Sequence, residues 1–209
     1  MSVTLNASTS SGLVQTADTS GTVEIQSNGT TRLTVASTGV TIGGTFGGSV
    51  ITSGTVNGGA ANPLSGATSV DFTSIPSWVK RITIMFDGVS LSGSDSFLIQ
   101  LGDSGGIETT GYNGGGTRIG ATSVNAATFT TGFGFNNTTA ATLYSGNIIL
   151  CNVTGNTWSA SGVLGGSATE LCNITGGSKT LSATLDRVSI TRSGTNTFDA
   201  GTINILYEG

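Results

Sequence analysis

The sequence predicts an all-β protein, with a thin fibrous β segment at the N-terminus followed by an antiparallel β-sandwich that is jelly-roll-like. Apolar residues alternate with polar ones in short runs, which is the period-2 pattern of strands with one buried face. Gly makes up 34 of the 209 residues and stands with Asn between these runs, where turns favour it. The 3.6-residue periodicity of amphipathic helices is nearly absent.

The composition favours a folded β-protein over a disordered chain. Charged residues are only 9% of the chain, against about 25% in typical soluble domains. Disordered chains combine few apolar residues with high net charge, whereas 36% of these residues are hydrophobic and the net charge is −4. We therefore expect a folded chain whose Ser, Thr, Asn and Gly surface carries little long-range electrostatic field.

The same features argue against several classes of protein. The seven Lys and Arg residues are scattered, whereas nucleic-acid binding needs clustered positive charge. No apolar run approaches the roughly 20 residues of a membrane-spanning helix. The opening MSVTLNASTS has neither the basic region nor the apolar core of a signal peptide. We expect neither nucleic-acid binding nor membrane insertion.

Residues 1–62 differ from the rest and are predicted to form a separate N-terminal segment. Their clearest element is a hairpin of Val23–Gln26 and Arg32–Val35 around Ser27-Asn28-Gly29-Thr30, because Asn-Gly supplies the positive φ angles of a type I′ turn. Further short strands are predicted at Val3–Leu5 and Val40–Ile42. The segment has too few apolar residues for a core of its own, so we expect it to bury surface against other copies of the chain.

Residues 63–209 are predicted to form the β-sandwich from about eight to ten strands. Ile148–Val153 is apolar at successive positions, which predicts a central strand covered on both faces. The other apolar runs are Val79–Val89, Phe97–Leu101, Phe129–Phe135, Leu181–Leu185, Val188–Ile190 and Ile203–Tyr207.

One short sequence occurs twice, as LCNVTG from Leu150 and LCNITG from Leu171. Each copy precedes a polar turn and a further apolar run, which predicts two similar hairpins. Cys151 and Cys172 hold equivalent places and would be able to form a disulfide if the hairpins are adjacent. Buried free thiols are the favoured interpretation, because bacterial cytoplasm keeps thiols reduced.

The segment Gly102-Asp103-Ser104-Gly105-Gly106 matches the nucleophile motif of chymotrypsin-like serine proteases. That chemistry needs a histidine to accept the serine proton, and the chain contains none. A Gly-rich turn after the strand that ends at Leu101 explains the motif. We expect no serine protease activity.

Other catalytic and metal chemistry also finds little support. Glycoside hydrolysis needs two carboxyl groups about 5–10 Å apart, and the candidate pairs are Asp95 with Asp103 and Asp186 with Asp199. Solvated turn carboxylates are the favoured interpretation. Two cysteines without histidine do not form a structural zinc site. We predict no catalytic residues, no metal site and no cofactor.

Exposed aromatic residues are the remaining candidates for binding a sugar. Tyr112 lies in the Gly-rich stretch TTGYNGGGTR beside Arg118, where a ring is expected to project from a loop, so these two residues are the predicted ligand-binding site. Tyr144, Trp78 and Trp158 are weaker candidates, with core packing expected for both tryptophans.

Three stretches carry a resemblance to a known family. Residues 21–44, GTVEIQSNGTTRLTVASTGVTIGG, resemble a strand–turn–strand stretch of bacteriophage tail-fibre and other virion appendage proteins. Residues 71–90 (DFTSIPSWVKRITIMFDGVS) and 185–209 resemble a domain of phage and prophage structural regions. The resemblance implies a homotrimer with an N-terminal attachment segment and a C-terminal β-domain.

These expectations define a function class. The resemblance implies a virion structural protein, a tail-fibre or spike component assembled in the bacterial cytoplasm. Residues 1–62 are expected to contact other virion proteins, and residues 63–209 to contact a host glycan. The alternative is a capsid decoration or head-fibre protein without a receptor role. A polysaccharide depolymerase is a third possibility, disfavoured because its usual β-helix needs a longer chain.

Overall fold

The computed structural model describes residues 22–37, 39–42, 53–54, 62–140, 142–167 and 170–209. These residues form β-strands joined by turns, and none of them lies in a helix, so the predicted all-β fold class is confirmed. No helix in this part of the chain is long and apolar enough to cross a membrane. The chain divides into two compact units, Met1–Val50 and Ile51–Gly209, a division that falls before the predicted boundary at residue 62.

The N-terminal unit contains an antiparallel three-stranded sheet of β1 (Val23–Ser27), β2 (Thr30–Ala36) and β3 (Gly39–Ile42). The turn between β1 and β2 has φ angles of 52° at Asn28 and 71° at Gly29, as a type I′ turn requires. The predicted hairpin is confirmed. The predicted strand Val3–Leu5 lies outside the described residues.

Apolar side chains of this small sheet remain exposed to solvent. The register pairs Val23 with Val35 and Ile25 with Leu33, which places all four on one face. Val23, Ile25 and Val35 keep 38%, 53% and 40% of their surface exposed. Because a small sheet depends on a covered apolar face for its stability, this face is suited to packing against another surface.

The C-terminal unit consists of two antiparallel sheets. Its strands are β4 (Ser53–Gly54), β5 (Asn62–Pro63), β6 (Val70–Phe72), β7 (Arg81–Leu91), β8 (Phe97–Asp103), β9 (Gly106–Ile107), β10 (Tyr112–Gly120), β11 (Val124–Phe129), β12 (Phe133–Phe135), β13 (Tyr144–Thr154), β14 (Thr157–Gly166), β15 (Glu170–Thr180), β16 (Arg187–Arg192) and β17 (Phe198–Glu208). The larger sheet has the order β11-β10-β15-β14-β13-β7-β17-β4, and β5 also pairs with β17. The smaller sheet has the order β12-β8-β16-β6, and β9 pairs with β8.

The core lies between the inner faces of these two sheets in a sandwich-like arrangement. Alternate residues of β7 and the whole of β8 are buried, so the predicted apolar faces of both strands are confirmed. Phe97 is at the centre of an aromatic cluster, with ring centroids 5.5 Å from Tyr144, 6.0 Å from Phe198 and 6.3 Å from Phe86. Trp158 is buried in the core, as predicted.

Several predicted strands differ from the structure. The Gly-rich stretch from Tyr112, predicted as a loop, is the internal strand β10, and β11 follows it at the sheet edge. The run Leu181–Leu185 is not a strand, although both of its leucines are buried. The strand around Ile148 is internal as predicted, but only one of its faces is covered, because Val153 is 62% exposed.

The prediction of two similar hairpins is wrong. LCNVTG does end β13 at a turn into β14, but LCNITG continues without a turn inside β15. Cys151 and Cys172 lie on β13 and β15, which β14 separates, and both are free thiols. The expected burial is also wrong, because Cys151 is exposed and Cys172 half-buried on the side of the sheet turned away from the core.

Candidate functional site

Tyr112 does not project from a loop, so the prediction of an exposed ring is wrong. The residue is 4% exposed on the inner face of β10, and its ring packs edge-on against Phe133 at 5.2 Å. Its hydroxyl accepts the Leu101 N–H at 2.7 Å and donates to the Glu108 carbonyl at 3.0 Å. Burial raises the pKa of this hydroxyl. The ring is therefore a core component and cannot stack on a sugar.

Arg118 lies in the same strand as Tyr112 and is half-buried. In the sheet register it stands between Asn125 of β11 and Asn173 of β15. Arg118 lies six positions along the extended strand from Tyr112, a distance of about 20 Å. The structure does not bring the two predicted ligand-binding residues together.

The predicted carboxylate pairs are also separated. Asp95 precedes β8 and Asp103 ends it, so the two lie at opposite ends of that strand. Asp186 adjoins Arg187, which pairs with Gly102 near the end of β8. Asp199 adjoins Phe198, whose ring contacts Phe97 at the start of β8. The four acids therefore form neither of the predicted pairs.

The protease-like motif forms the turn between β8 and β9, as predicted. The Asp103 carboxylate accepts the Gly105 N–H at 2.8 Å, and Asp103 pairs with Gly106 across the turn. Ser104 is exposed at the tip. The motif is therefore explained by local turn geometry.

A polar cluster that the sequence analysis missed lies beside this turn. The Ser182 hydroxyl contacts Asp103 Oδ2 at 2.8 Å and Glu108 Oε1 at 2.7 Å, and Lys179 Nζ is 2.5 Å from Glu108 Oε2. The Lys179 contact is the main cause that lowers the pKa of Glu108 to about 2, and the Ser182 hydrogen bond is the main cause that lowers the pKa of Asp103. Both carboxylates are ionised at neutral pH, so neither is suited to be the protonated acid of a glycosidase pair.

A pocket of ≈ 220 Å³ lies at another part of the C-terminal unit, where the turn between β13 and β14 meets the segment before β7. Trp158 and Leu185 are buried in its wall, and polar residues supply much of the remainder. The full lining consists of Ser77, Val79, Lys80, Asn152, Gly155, Asn156, Trp158, Thr184 and Leu185. Pockets for drug-sized ligands usually measure about 300–1,000 Å³, so this one fits a single small group such as one sugar ring.

The pocket wall is held by hydrogen bonds from Asn152. Its amide Nδ2 donates to the carbonyls of Gly155 at 2.8 Å and Thr157 at 3.3 Å, which fixes the turn. Its Oδ1 accepts from Lys80 Nζ at 3.4 Å, which draws the ammonium group towards the pocket. A wall with one positive charge and no acidic lining residue suits a neutral or anionic sugar.

Trp78 stands in the sequence between the lining residues Ser77 and Val79 and keeps 40% of its surface exposed. Its ring makes an edge contact with Tyr207, with centroids 5.6 Å apart. The prediction that Trp78 packs in the core is therefore wrong. An exposed indole held against a second ring is the type of side chain that stacks on a sugar face.

No local sequence pattern indicates this pocket, because its parts come from three distant stretches of the chain. Lys80, which immediately precedes β7, and Arg81, its first residue, are both exposed. In the part of the chain that the structure describes, no three His, Cys, Asp or Glu residues are grouped to hold a metal ion. Comparisons of this chain with protein-family models, with curated proteins and with solved structures found no match.

Proposed function

We propose that this chain is a structural protein of a bacteriophage virion, a tail-fibre or spike component that presents a glycan-binding β-domain. The N-terminal residues 1–62 attach it to other virion proteins, and the assembled protein is a homotrimer. The glycan-binding role rests on one observation, the pocket with a largely polar lining between the β13–β14 turn and the segment before β7. The virion context rests on the resemblance of residues 21–44, 71–90 and 185–209.

The pocket supports the glycan proposal through the chemistry of its lining. Sugars present hydroxyl groups and weakly apolar ring faces, so they bind to amides, hydroxyls and aromatic rings. Asn152, Asn156, Ser77 and Thr184 supply polar groups of the lining, and Trp158 supplies an aromatic ring in its wall. A contact of this size is weak by itself, and three copies on one particle strengthen it through avidity.

The exposed apolar face of the N-terminal sheet supports the attachment role. Ile25 and Val35 are exposed on a sheet whose stability depends on a covered face. Packing against further copies or against another virion protein would cover it. A capsid decoration or head-fibre protein with the same architecture remains the second candidate, and it predicts attachment to the particle without glycan binding.

Replacing Lys80 by alanine is expected to weaken glycan binding about tenfold or more, which corresponds to about 1.4 kcal/mol. The Lys80 side chain lines the pocket and is exposed, so the substitution is expected to leave the fold intact. Binding of the full-length protein to an array of bacterial surface polysaccharides, followed by titration of the best ligand, measures the effect.

The matched control is Arg81→Ala, which removes a positive charge next to Lys80 without changing a lining residue. Equal losses in Arg81→Ala and Lys80→Ala would mean that net charge and not the pocket drives binding. A chain that binds no polysaccharide on the array while assembling on the particle would support the decoration protein.

Deletion of residues 1–42 is expected to abolish incorporation into the virion while leaving the C-terminal unit folded. The deletion removes the three-stranded sheet and leaves residues 51–209 intact. Immunoblotting of purified particles measures incorporation, and near-ultraviolet circular dichroism of the truncated protein reports on the fold. Normal incorporation of the truncated chain would contradict the attachment role.

A further inference from the structure

Two loops that connect the larger sheet with the smaller sheet share a sequence pattern. Residues 92–96 join β7 to β8 and have the sequence SGSDS, and residues 193–197 join β16 to β17 and have the sequence SGTNT. A phenylalanine follows each loop, Phe97 in one case and Phe198 in the other. Both rings are fully buried, with centroids 6.0 Å apart. The two loops therefore close the same end of the core.

The strand pairings relate the two loops by an approximate twofold symmetry. In the larger sheet β7 pairs with β17, and in the smaller sheet β16 pairs with β8, in both cases antiparallel. Exchanging β7 with β16 and β8 with β17 turns each pairing into the other. The exchange also holds at the loop ends, where Phe198 pairs with Leu91 and Phe97 pairs with Arg192. Equivalent positions of the two loops therefore face each other.

The backbone of each loop hydrogen-bonds to the other loop through equivalent atoms. The Ser92 N–H donates to the Thr197 carbonyl at 2.8 Å, and the Ser193 N–H donates to the Ser96 carbonyl at 2.9 Å. The Thr197 N–H donates to Ser92 Oγ, and the Ser96 N–H donates to Ser193 Oγ, both at 3.0 Å. These four bonds form two pairs that the symmetry exchanges, so each loop both donates to and accepts from the other.

The glycine of each loop leaves space for the Asp or Asn side chain of the other. A Cβ atom at Gly194 would overlap the Asp95 carboxylate, and a Cβ atom at Gly93 would overlap the Asn196 amide. Asp95 Oδ2 also accepts the Asn196 N–H at 2.8 Å. The residue types that occur in both loops are therefore those that the contact between the loops uses.

We propose that residues 92–96 and 193–197 form one latch, which opens and closes as a single cooperative unit at this end of the sandwich. The inference goes beyond the proposed function and does not rest on it. Since each loop supplies donors and acceptors to the other, neither loop moves away without breaking the bonds of both. Phe97 and Phe198 follow the loops directly, so opening the latch uncovers the aromatic cluster around them. Units of this kind open with a free energy of their own, below that of global unfolding.

Hydrogen exchange of the full-length protein, resolved for single amides by NMR, tests the latch. Amides in surface loops usually exchange rapidly, because few of them are bonded within the protein. The four bonded amides, those of Ser92, Ser96, Ser193 and Thr197, are instead expected to share one protection factor of about 100 or more. Amides of the internal strand β7 are expected to be protected more strongly, because they exchange only when the sandwich itself unfolds.

Two serine substitutions test whether the loops open together. Ser92→Ala removes the acceptor of the Thr197 N–H and leaves the bonds of Ser96 and Ser193 in place. In a single unit, this change is expected to accelerate exchange at both Ser96 and Ser193 by a common factor of about ten. Ser193→Ala is the reciprocal variant and is expected to accelerate Ser92 and Thr197 together.

The matched control is Ser104→Ala, which removes a hydroxyl from the exposed turn between β8 and β9. It is expected to leave the protection of all four latch amides unchanged. The Gly105 amide, which donates to the Asp103 carboxylate in that turn, is expected to keep its exchange rate in both latch variants.

Three results would overturn the inference. Four unrelated protection factors in the wild type would mean that the loops fluctuate separately. Acceleration of Thr197 alone in Ser92→Ala would mean that the loops are not coupled. Latch amides as protected as those of β7 would mean that this end opens only when the whole sandwich unfolds. The exchange measurements involve neither polysaccharide nor particles, so the proposed function stands or fails independently of them.

Discussion

Replacing Phe97 by alanine is expected to lower the free energy of unfolding by about 3–5 kcal/mol. The side chain is fully buried at the start of β8 and contacts the rings of Tyr144, Phe198 and Phe86. Removal of the Phe97 side chain leaves a cavity between the two sheets, because the four strands that meet there cannot all move inward. Since domains are stable by only about 5–15 kcal/mol, the loss is a large share of the total.

Urea denaturation followed by tryptophan fluorescence measures this loss, because Trp158, one of the two tryptophans, is buried in the same core. Val124→Ala is the control, since Val124 is 71% exposed at the sheet edge and is expected to cost less than about 0.5 kcal/mol. A loss below about 1 kcal/mol for Phe97→Ala would contradict a close-packed aromatic centre between the sheets.

The sequence predicted strands correctly in most places where large apolar residues alternate with polar ones, with Leu181–Leu185 as an exception. Ile82, Ile84 and Phe86 form a period-2 pattern that only a strand with one buried face satisfies. The Asn28-Gly29 turn was equally predictable from the sequence, because few residue types adopt the positive φ angles that it requires. In both places the local sequence carries all of the structural information.

The strand β10 was missed because its inward positions after Tyr112 are glycines. Gly114 and Gly116 are buried there, and the backbone of β11 and β12 approaches them closely. A side chain at Gly116 would meet the Gly134 carbonyl and the Phe129 ring. The strand therefore buries backbone in place of apolar side chains, so its sequence resembles a loop. Tyr112 was assigned to a projecting position for the same reason.

The pocket and the polar cluster were missed for a different reason. Glu108 meets Lys179 and Ser182 only because β10 pairs with β15, and that pairing joins residues about seventy positions apart. No local pattern encodes such a contact. The motif at Asp103 was visible in the sequence. The lack of histidine in the chain excluded serine protease chemistry, but it did not indicate the ion pair between Lys179 and Glu108 beside the motif.

Breaking the ion pair between Lys179 and Glu108 is expected to cost about 2–4 kcal/mol at pH 7, somewhat less than the about 3–5 kcal/mol of fully buried pairs. The Lys179 side chain is 6% exposed and that of Glu108 is 23% exposed. Lys179→Met removes the ammonium group, which also lies 5.4 Å from the centre of the Tyr112 ring, and keeps an apolar side chain of similar length. The double variant Lys179→Met/Glu108→Gln is expected to recover part of the loss, because no unpaired charge remains.

The pH dependence of stability provides the sharpest measurement of this pair. The pKa of Glu108 is lowered from 4.5 to about 2 in the folded state, so its stabilising contribution is complete above about pH 4.5. That contribution is lost as the pH falls towards 2, because the unfolded chain then binds the proton more readily. The difference in stability between wild type and Lys179→Met is therefore expected to shrink from pH 7 to pH 2.

Arg81→Met is the control, since the Arg81–Glu208 pair is 3.6 Å long and half-exposed on its arginine side. Loss of this pair is expected to cost less than about 1 kcal/mol. A Lys179→Met difference that stays constant with pH would show that packing of the lysine stem, and not its charge, stabilises this end of the sandwich.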